Sequence, residues 1–357
     1  MTTHKKLNQA KKLIICFLTL FLTFLPTVGW ANTESELNFY ITPVLPESQL
    51  DNGASGYFDL NLAPGSSDTL GLEIQNNSDQ AIDVQVSAHT AFTNVNGVVE
   101  YGKDAEEADP TLPFELSELI ESPDMITLDA NESKTVEVPI RMPEEAFEGV
   151  LAGGIRVEEV KEEREQEQEG AGLAIKNAFS YVVGVVVSNN RSATEPGLDL
   201  LDVFADQVNY RNVFSAQIQN YTPTFVNQMA VQATIREEGE DEVLYETNRE
   251  GLQMAPNSNF NFPISLNGDA FKSGTYVLNM TARSEGEEWS WEKTFTIESE
   301  TARRLNQEDV TIDNGINWWM IATIGILLVL LAVIGYLIYK NKKQVVAEEQ
   351  DTNENNN

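Results

Sequence analysis

Short runs of alternating hydrophobic and polar residues fill the chain between residues 34 and 298, and turn residues interrupt them about every ten positions. The clearest runs are 57–60, 69–74, 135–138, 181–187 and 289–297, and the turns include Pro64-Gly65, Asn96-Gly97 and Asn267-Gly268. A period of two residues is typical of a β-strand with one buried face. The pattern therefore predicts an all-β structure. Its one short helical candidate is 113–120, which also fits a loop turn.

The hydrophobic pattern occurs twice. Each copy has an asparagine turn, an alternating strand, a second polar turn, a strand containing a proline, and an Ala-Phe segment followed by glycine. These segments are 74–76, 84–88, 130–133, 136–140 and 146–149 in the first copy, and 218–220, 229–233, 256–258, 260–264 and 270–274 in the second. We interpret the repeat as two tandem immunoglobulin-like β-sandwich domains, with chance similarity of short strands as the alternative. Because proline cannot donate to a β-ladder, Pro139 and Pro263 are predicted at a sheet edge or a strand end.

The first copy is longer than the second because it contains an insertion, from residue 92 to about residue 120. It also has an additional hairpin near its C-terminal end, over residues 153–188. Sandwich proteins carry specificity on loops rather than on the paired scaffold. We therefore predict that the insertion binds a ligand, and a loop without a binding role is the alternative. The candidate ligand-binding residues are Phe92, Thr93, Asn94, Gly97 and Tyr101.

The C-terminal part of the chain contains an uncharged run at 317–339, which is longer than the roughly 20 apolar residues that a membrane-spanning helix needs. Trp318 and Trp319 begin the run, and Lys340, Lys342 and Lys343 follow it. Aromatic residues at one interface and lysines beyond the other are typical of a single-pass anchor with a cytoplasmic tail, here 340–357. A buried globular helix is the alternative.

The N-terminal part of the chain has the features of a signal peptide. Four lysines precede an apolar stretch at 13–25, and Gly29-Trp30-Ala31 provides small residues at the positions that a signal peptidase recognises. We predict cleavage after residue 31, with a second membrane anchor as the alternative. The only cysteine, Cys16, leaves with this segment. These features predict a cell-membrane protein whose N-terminal part lies outside the cell.

Between these termini, the composition places the first domain at 34–190 and the second at 197–298. Residues 191–197 join them, and residues 299–316 are predicted to form a polar stalk. Each domain is long enough to bury a core of its own.

The residue types of the mature chain exclude much catalytic chemistry. Without cysteine and with the single histidine His89, it cannot form a disulfide, a cysteine–histidine zinc site or a thiol nucleophile. His89 lies in an alternating run, so a hydrogen-bonded strand histidine is favoured over a general base. Ser290 and Lys293 form a Ser-x-x-Lys match, but their odd spacing on a strand places them on opposite faces. We predict no enzyme activity, no metal and no cofactor, although paired carboxylates for glycoside hydrolysis stay open.

The charge of the chain limits its partners. The formal net charge is −33, and lysines concentrate at the two ends, so the segment between them is more acidic still. Such a surface repels phosphate polymers, which excludes nucleic acid and makes teichoic acid a poor partner. Neutral glycans, cationic peptides and basic protein patches are compatible with it. The acidic residues also serve solubility near an anionic wall.

Several segments resemble the WxL-interacting proteins of Gram-positive bacteria. In the first domain they are 39–46, 57–60, 91–97 with Tyr101, and 142–155; in the second they are 254–260, 273–278, and Trp289 and Trp291 before Phe295. The signal peptide, stalk, span and basic tail complete the layout of that family. The resemblance covers essentially the whole chain.

The resemblance implies that the first domain binds peptidoglycan, that the second binds host extracellular proteins, and that the protein associates with wall-bound WxL-domain proteins. The residues by themselves indicate a membrane-tethered, non-enzymatic binding protein. Two alternatives stay open: a structural scaffold that assembles other surface proteins, and a wall hydrolase.

Overall fold

The computed structural model describes residues 38–336 except positions 52, 54, 124, 161–178, 313–318 and 320. In the first half of the chain, two sheets pack face to face. The elements are β1 (Phe39–Val44), β2 (Phe58–Asn61), β3 (Ser67–Asn76), β4 (Ile82–Thr90), β5 (Phe92–Thr93), β6 (Val99–Glu100), α1 (Leu116–Leu119), β7 (Ile126–Leu128), β8 (Ser133–Arg141), β9 (Leu151–Val160) and β10 (Ser180–Ser188). One sheet has the order β1-β3-β8 and the other β2-β10-β9-β4-β7, whereas β5 and β6 form a separate hairpin. Helix α1 lies inside the predicted helical segment 113–120.

The second half of the chain repeats this architecture. Its strands are β11 (Leu198–Val208), β12 (Arg211–Asn220), β13 (Val226–Glu237), β14 (Val243–Met254), β15 (Ser258–Ser265), β16 (Gly274–Ser284) and β17 (Glu287–Ile297). The orders β11-β12-β15 and β14-β13-β16-β17 match β1-β3-β8 and β7-β4-β9-β10 strand by strand. A three-stranded sheet facing a four-stranded sheet, with the strands in this order, is an immunoglobulin-like arrangement. The predicted internal repeat is confirmed, and the first domain adds β2, which pairs in parallel with β10.

The two asparagine turns explain why both copies fold alike. Asn76 and Asn220 end the matching strands β3 and β12, and both are completely buried. In each, the side-chain amide nitrogen donates to the backbone carbonyl four residues further on, and the amide oxygen accepts the backbone N–H two residues further on. A buried amide needs such partners, so each asparagine fixes its turn and the strand that follows.

The two prolines occupy matching positions. Pro139 lies in β8 opposite Thr69, and Pro263 lies in β15 opposite Ser215. Both β8 and β15 are the outer strands of their sheets, where a missing N–H breaks no interior ladder. The edge prediction is confirmed in both copies.

The segment predicted as a polar stalk, 299–316, is structured in its first part. Residues Ser299–Glu308 form helix α2, which packs on the second domain through buried Ala302 and Leu305. The Asn306 side chain donates to the Phe271 carbonyl and accepts the Phe271 N–H. The stalk prediction is therefore wrong for 299–308. Two apolar side chains three positions apart dock a short helix without producing a visible period in a polar segment.

Replacing Leu305 by alanine is expected to loosen this helix, because the substitution removes its largest buried side chain. Trypsin should then cleave after Arg303 and Arg304 several-fold faster than in the unchanged protein, as followed by mass spectrometry. Gln307→Ala, on the exposed side of the same helix, should leave the cleavage rate unchanged. Equal cleavage of both variants would contradict the docking.

The predicted membrane span at 317–339 is described in part. Positions 319 and 321–336 are helical and exposed. Among the described residues, no helix has both the length and the hydropathy to cross a membrane. The rest of the predicted span, the predicted signal peptide at 1–31 and the predicted tail at 340–357 lie outside the described residues.

Candidate functional site

The insertion of the first domain packs against the second domain. The Thr93 hydroxyl lies 2.7 Å from the Ser258 hydroxyl and accepts the Ala255 N–H at 3.0 Å. Further along the hairpin, the Gln253 N–H donates to the Gly97 carbonyl at 2.8 Å. The β5-β6 hairpin therefore joins the two domains.

The turn of this hairpin explains two of the predicted site residues. The Asn94 side-chain oxygen accepts the Asn96 N–H at 2.9 Å, an arrangement typical of an asparagine turn. Gly97 has φ +68°, and a Cβ atom there would lie 2.8 Å from Cδ2 of Leu252. Only glycine combines that backbone conformation with so close an approach to the second domain.

Asp109, near the middle of the insertion, forms the most connected polar contact between the domains. Its carboxylate is almost fully buried and accepts the Gln219 amide at 2.9 and 3.0 Å and the Asn259 amide at 2.6 Å. It also accepts the Thr111 N–H and hydroxyl within the insertion. Burial alone would raise the pKa of Asp109, but these hydrogen bonds from Thr111, Asn259 and Gln219 outweigh it, so the pKa lies below its ordinary value.

His89 holds the insertion on the first domain. One ring nitrogen lies 2.9 Å from the Ser87 hydroxyl, and the other lies 2.8 Å from the Asp104 carboxylate. Asp104 also accepts the Thr90 N–H at 2.8 Å. The prediction of a hydrogen-bonded strand histidine is confirmed. The order serine, histidine, aspartate is also that of a hydrolase triad.

The Ser-x-x-Lys match forms no constellation. The Ser290 hydroxyl lies 3.2 Å from that of Thr281 on the neighbouring strand. Lys293 points to the opposite face, where its ammonium group donates to the Leu201 carbonyl and lies 3.7 Å from the Asp202 carboxylate. The two side chains lie apart, as their spacing predicts.

A groove of about 500 Å³ lies beside the hairpin, over the outer face of β10. Its floor consists of Val182, Gly184 and Val186, which alternate with the core residues of the same strand. A Cβ atom at Gly184 would meet only Cβ of Tyr57, at the ordinary contact distance of 3.5 Å. The missing side chain at Gly184 is therefore what opens the middle of the floor.

Two tyrosines line the sides of the groove. Tyr57 precedes β2, on one side of β10, and Tyr101 lies over Gly154 of β9, on the other side. A Cβ atom at Gly154 would lie 2.7 Å from the Tyr101 carbonyl oxygen, so glycine permits this approach. Burial raises the pKa of the Tyr101 hydroxyl, and the nearby Tyr57 adds to the increase. The Tyr101 hydroxyl therefore stays neutral at physiological pH.

The second domain closes one end of the groove. Phe225, Asn227 and Gln253 line this end, and the Gln253 amide donates to the Asn227 side-chain oxygen at 3.2 Å. Beneath them, a small apolar cluster spans the domains; its members are Ala91, Ala152, Ala255, Val99, Tyr101 and Phe225. The groove is therefore complete only when the domains are joined.

The five predicted site residues divide into three groups. Tyr101 lines the groove. Thr93 and Gly97 contact the second domain, and Asn94 shapes the hairpin turn between them. Phe92 lines a separate cavity of about 40 Å³ and lies under the Lys103 ammonium at 5.8 Å. Whether any of the five contacts a ligand stays a prediction.

Sequence reasoning missed Tyr57, Gly184 and Phe225 as groove residues. One signal was present. Residues 181–187, grouped above with the alternating runs, are in fact apolar on both faces of the strand, whereas a strand with one solvated face should alternate. An apolar outer face indicates that something covers it. The contribution of Phe225 had no such signal, because it depends on how the domains meet.

The fold and the groove define a two-domain β-sandwich protein with a candidate ligand site at the domain junction. Residues 39–159 match the family model of the peptidoglycan binding domain of WxL Interacting Protein, and residues 170–307 match the model of its host binding domain. The chain belongs to the WxL-interacting protein family, as the sequence resemblance predicted. Among curated proteins, no sequence matches the chain.

Solved structures with a similar arrangement include bacterial chaperones and a human domain. The E. coli chaperone DraB has 14% identity and a TM-score of 0.27, with 73% of this chain and 98% of that chain covered. The Pseudomonas aeruginosa CupB2 chaperone has 12% identity and a TM-score of 0.27, covering 66% and 96%. The PapD-like domain 7 of human CEP192 has 13% identity and a TM-score of 0.25, covering 44% and 87%.

Proposed function

We propose that this protein is a non-enzymatic binding protein of the bacterial cell surface, which attaches to peptidoglycan through the junction groove. The match of residues 39–159 to a peptidoglycan binding domain carries this proposal. The groove supports it, because it has aromatic walls and eight of its eleven lining residues lie in the first sandwich domain, five of them within the matched segment 39–159.

The proposal includes the placement of the protein. Residues 317–339 tether it to the cell membrane as a single pass after removal of 1–31, with both domains outside and 340–357 in the cytoplasm. The uncharged run, its tryptophans and the lysines after it support this orientation. The second domain then faces host extracellular proteins or WxL-domain surface proteins, in keeping with the second family match.

Cosedimentation tests the proposal. The full chain in detergent should pellet with purified peptidoglycan and stay in the supernatant with insoluble cellulose, a β-1,4 glycan without N-acetyl groups. Failure to pellet with peptidoglycan would overturn the proposed function. If the chain instead retains only WxL-domain proteins from a wall extract, the scaffold alternative replaces it.

A hydrolase is the second candidate, because Ser87, His89 and Asp104 are hydrogen-bonded in the order of a triad. A hydrolase would release soluble sugar or peptide from peptidoglycan, and Ser87→Ala would abolish that release. We expect no release by the unchanged protein or by Ser87→Ala, since both matched domain models describe binding domains.

A further inference from the structure

Resting on the proposed function, we propose that the junction groove binds the glycan strand of peptidoglycan, a β-1,4-linked chain of N-acetylated sugars, rather than its stem peptides. Three properties of the groove carry this inference: its aromatic walls, its charge and its position on the face of a sheet.

The walls and floor fit a sugar ring. A pyranose presents a flat face of C–H groups that packs on an aromatic ring, and hydroxyl groups at its rim that need polar partners. Tyr57 and Tyr101 provide the rings on two sides of an apolar floor. Asn227 and Gln253 provide amide groups at the closed end, suited to an N-acetyl group.

The charge of the groove favours a neutral ligand. Among the described residues that line it, Glu100 is the sole charged side chain, and lysine and arginine are absent. The carboxylate ends of stem peptides and the phosphates of teichoic acids would meet Glu100 without a compensating cation. Sugar hydroxyls can donate to a carboxylate, so Glu100 suits the glycan backbone.

The position of the groove disfavours an extended peptide. Peptides commonly join a sheet at its edge, where backbone groups are open to hydrogen bonding. This groove lies above β10, which pairs with β9 along Ser180–Val187 and with β2 along Val185–Ser188. Both edges of β10 are paired along Val185–Val187, so a ligand over this part meets the face of the strand, which suits a chain of rings lying flat on the sheet.

Gly184→Val tests the inference directly, because it fills the floor while its Cβ meets no atom closer than 3.5 Å. We expect the full chain in detergent to bind the N-acetylglucosamine tetramer in calorimetric titration. Gly184→Val should weaken that binding by about tenfold or more, since the valine side chain occupies the space in which the sugar ring would lie. Gly274→Val is the matched control: it also adds a side chain to a strand glycine with one ordinary contact, far from the groove. It should leave binding unchanged.

Tyr57→Ala provides a second variant that does not alter a strand glycine, and it should weaken tetramer binding in the same direction. A free stem pentapeptide should fail to displace the tetramer. Displacement by the pentapeptide, or equal tetramer binding by all three variants and the unchanged protein, would overturn the glycan assignment. Sedimentation with peptidoglycan but no tetramer binding would also overturn it while leaving the proposed function standing.

Discussion

Replacing Asn220 by alanine should destabilise the second domain by about 3 kcal/mol, because it leaves several buried polar groups without partners. The Asn220 side chain donates to the carbonyls of Thr224 and Ala255 and accepts the N–H and hydroxyl of Thr222. The residue is completely buried, so water cannot replace these bonds without opening the domain. Urea unfolding followed by circular dichroism measures the loss.

The repeat provides an internal comparison for this prediction. Asn76→Ala removes the equivalent contacts of the first domain and should lower the unfolding transition of that domain by a similar amount. Asn248→Ala, an exposed asparagine of β14, should change the free energy of unfolding by less than about 0.5 kcal/mol. If Asn220→Ala behaved like Asn248→Ala, the asparagine turn would be incidental to the fold.

The fold was predictable where its determinants are local. Period-two alternation, asparagine turns and the edge prolines each act within a few residues, and they identified the two sandwiches and their shared topology. Helix α2 escaped prediction because its docking depends on Leu305 reaching the core of the second domain, a contact that no local period reveals. The sequence of a polar segment shows which residues are apolar, but it does not show which part of the fold they pack against.

The candidate site was predictable only in part, for a related reason. The insertion was identified as an addition to the shared sandwich, but two of its five chosen residues, Thr93 and Gly97, contact the second domain. The Thr93–Ser258 contact joins residues 165 positions apart, and the angle between two sandwiches determines it. No hydrophobic pattern encodes that angle. The strand around Gly184, which is apolar on both faces, was the one local sign of the groove.

Replacing Asp109 by alanine should weaken the joint between the domains by about 2–3 kcal/mol, because two buried amides lose a charged acceptor. Gln219 and Asn259, both in the second domain, would be left without this partner. A double-mutant cycle with Asn259→Ala should give a coupling free energy above about 0.5 kcal/mol, measured from unfolding transitions of the full chain. Glu106→Ala, an exposed acid of the same insertion, is the control and should change neither transition.

The same contact makes the joint sensitive to acid. The pKa of Asp109 is lowered in the folded protein, so the unfolded state binds a proton more readily. The stabilisation is therefore complete above the unfolded-state pKa, about 3.9, and is lost as the pH falls through the lowered folded value. The difference in stability between the unchanged protein and Asp109→Ala should shrink below about pH 4. A difference in stability that stays constant from pH 7 to about pH 3 would show that the charge of the Asp109 carboxylate does not hold the domains together. That charge would then also not fix the end wall of the groove, which the second domain provides.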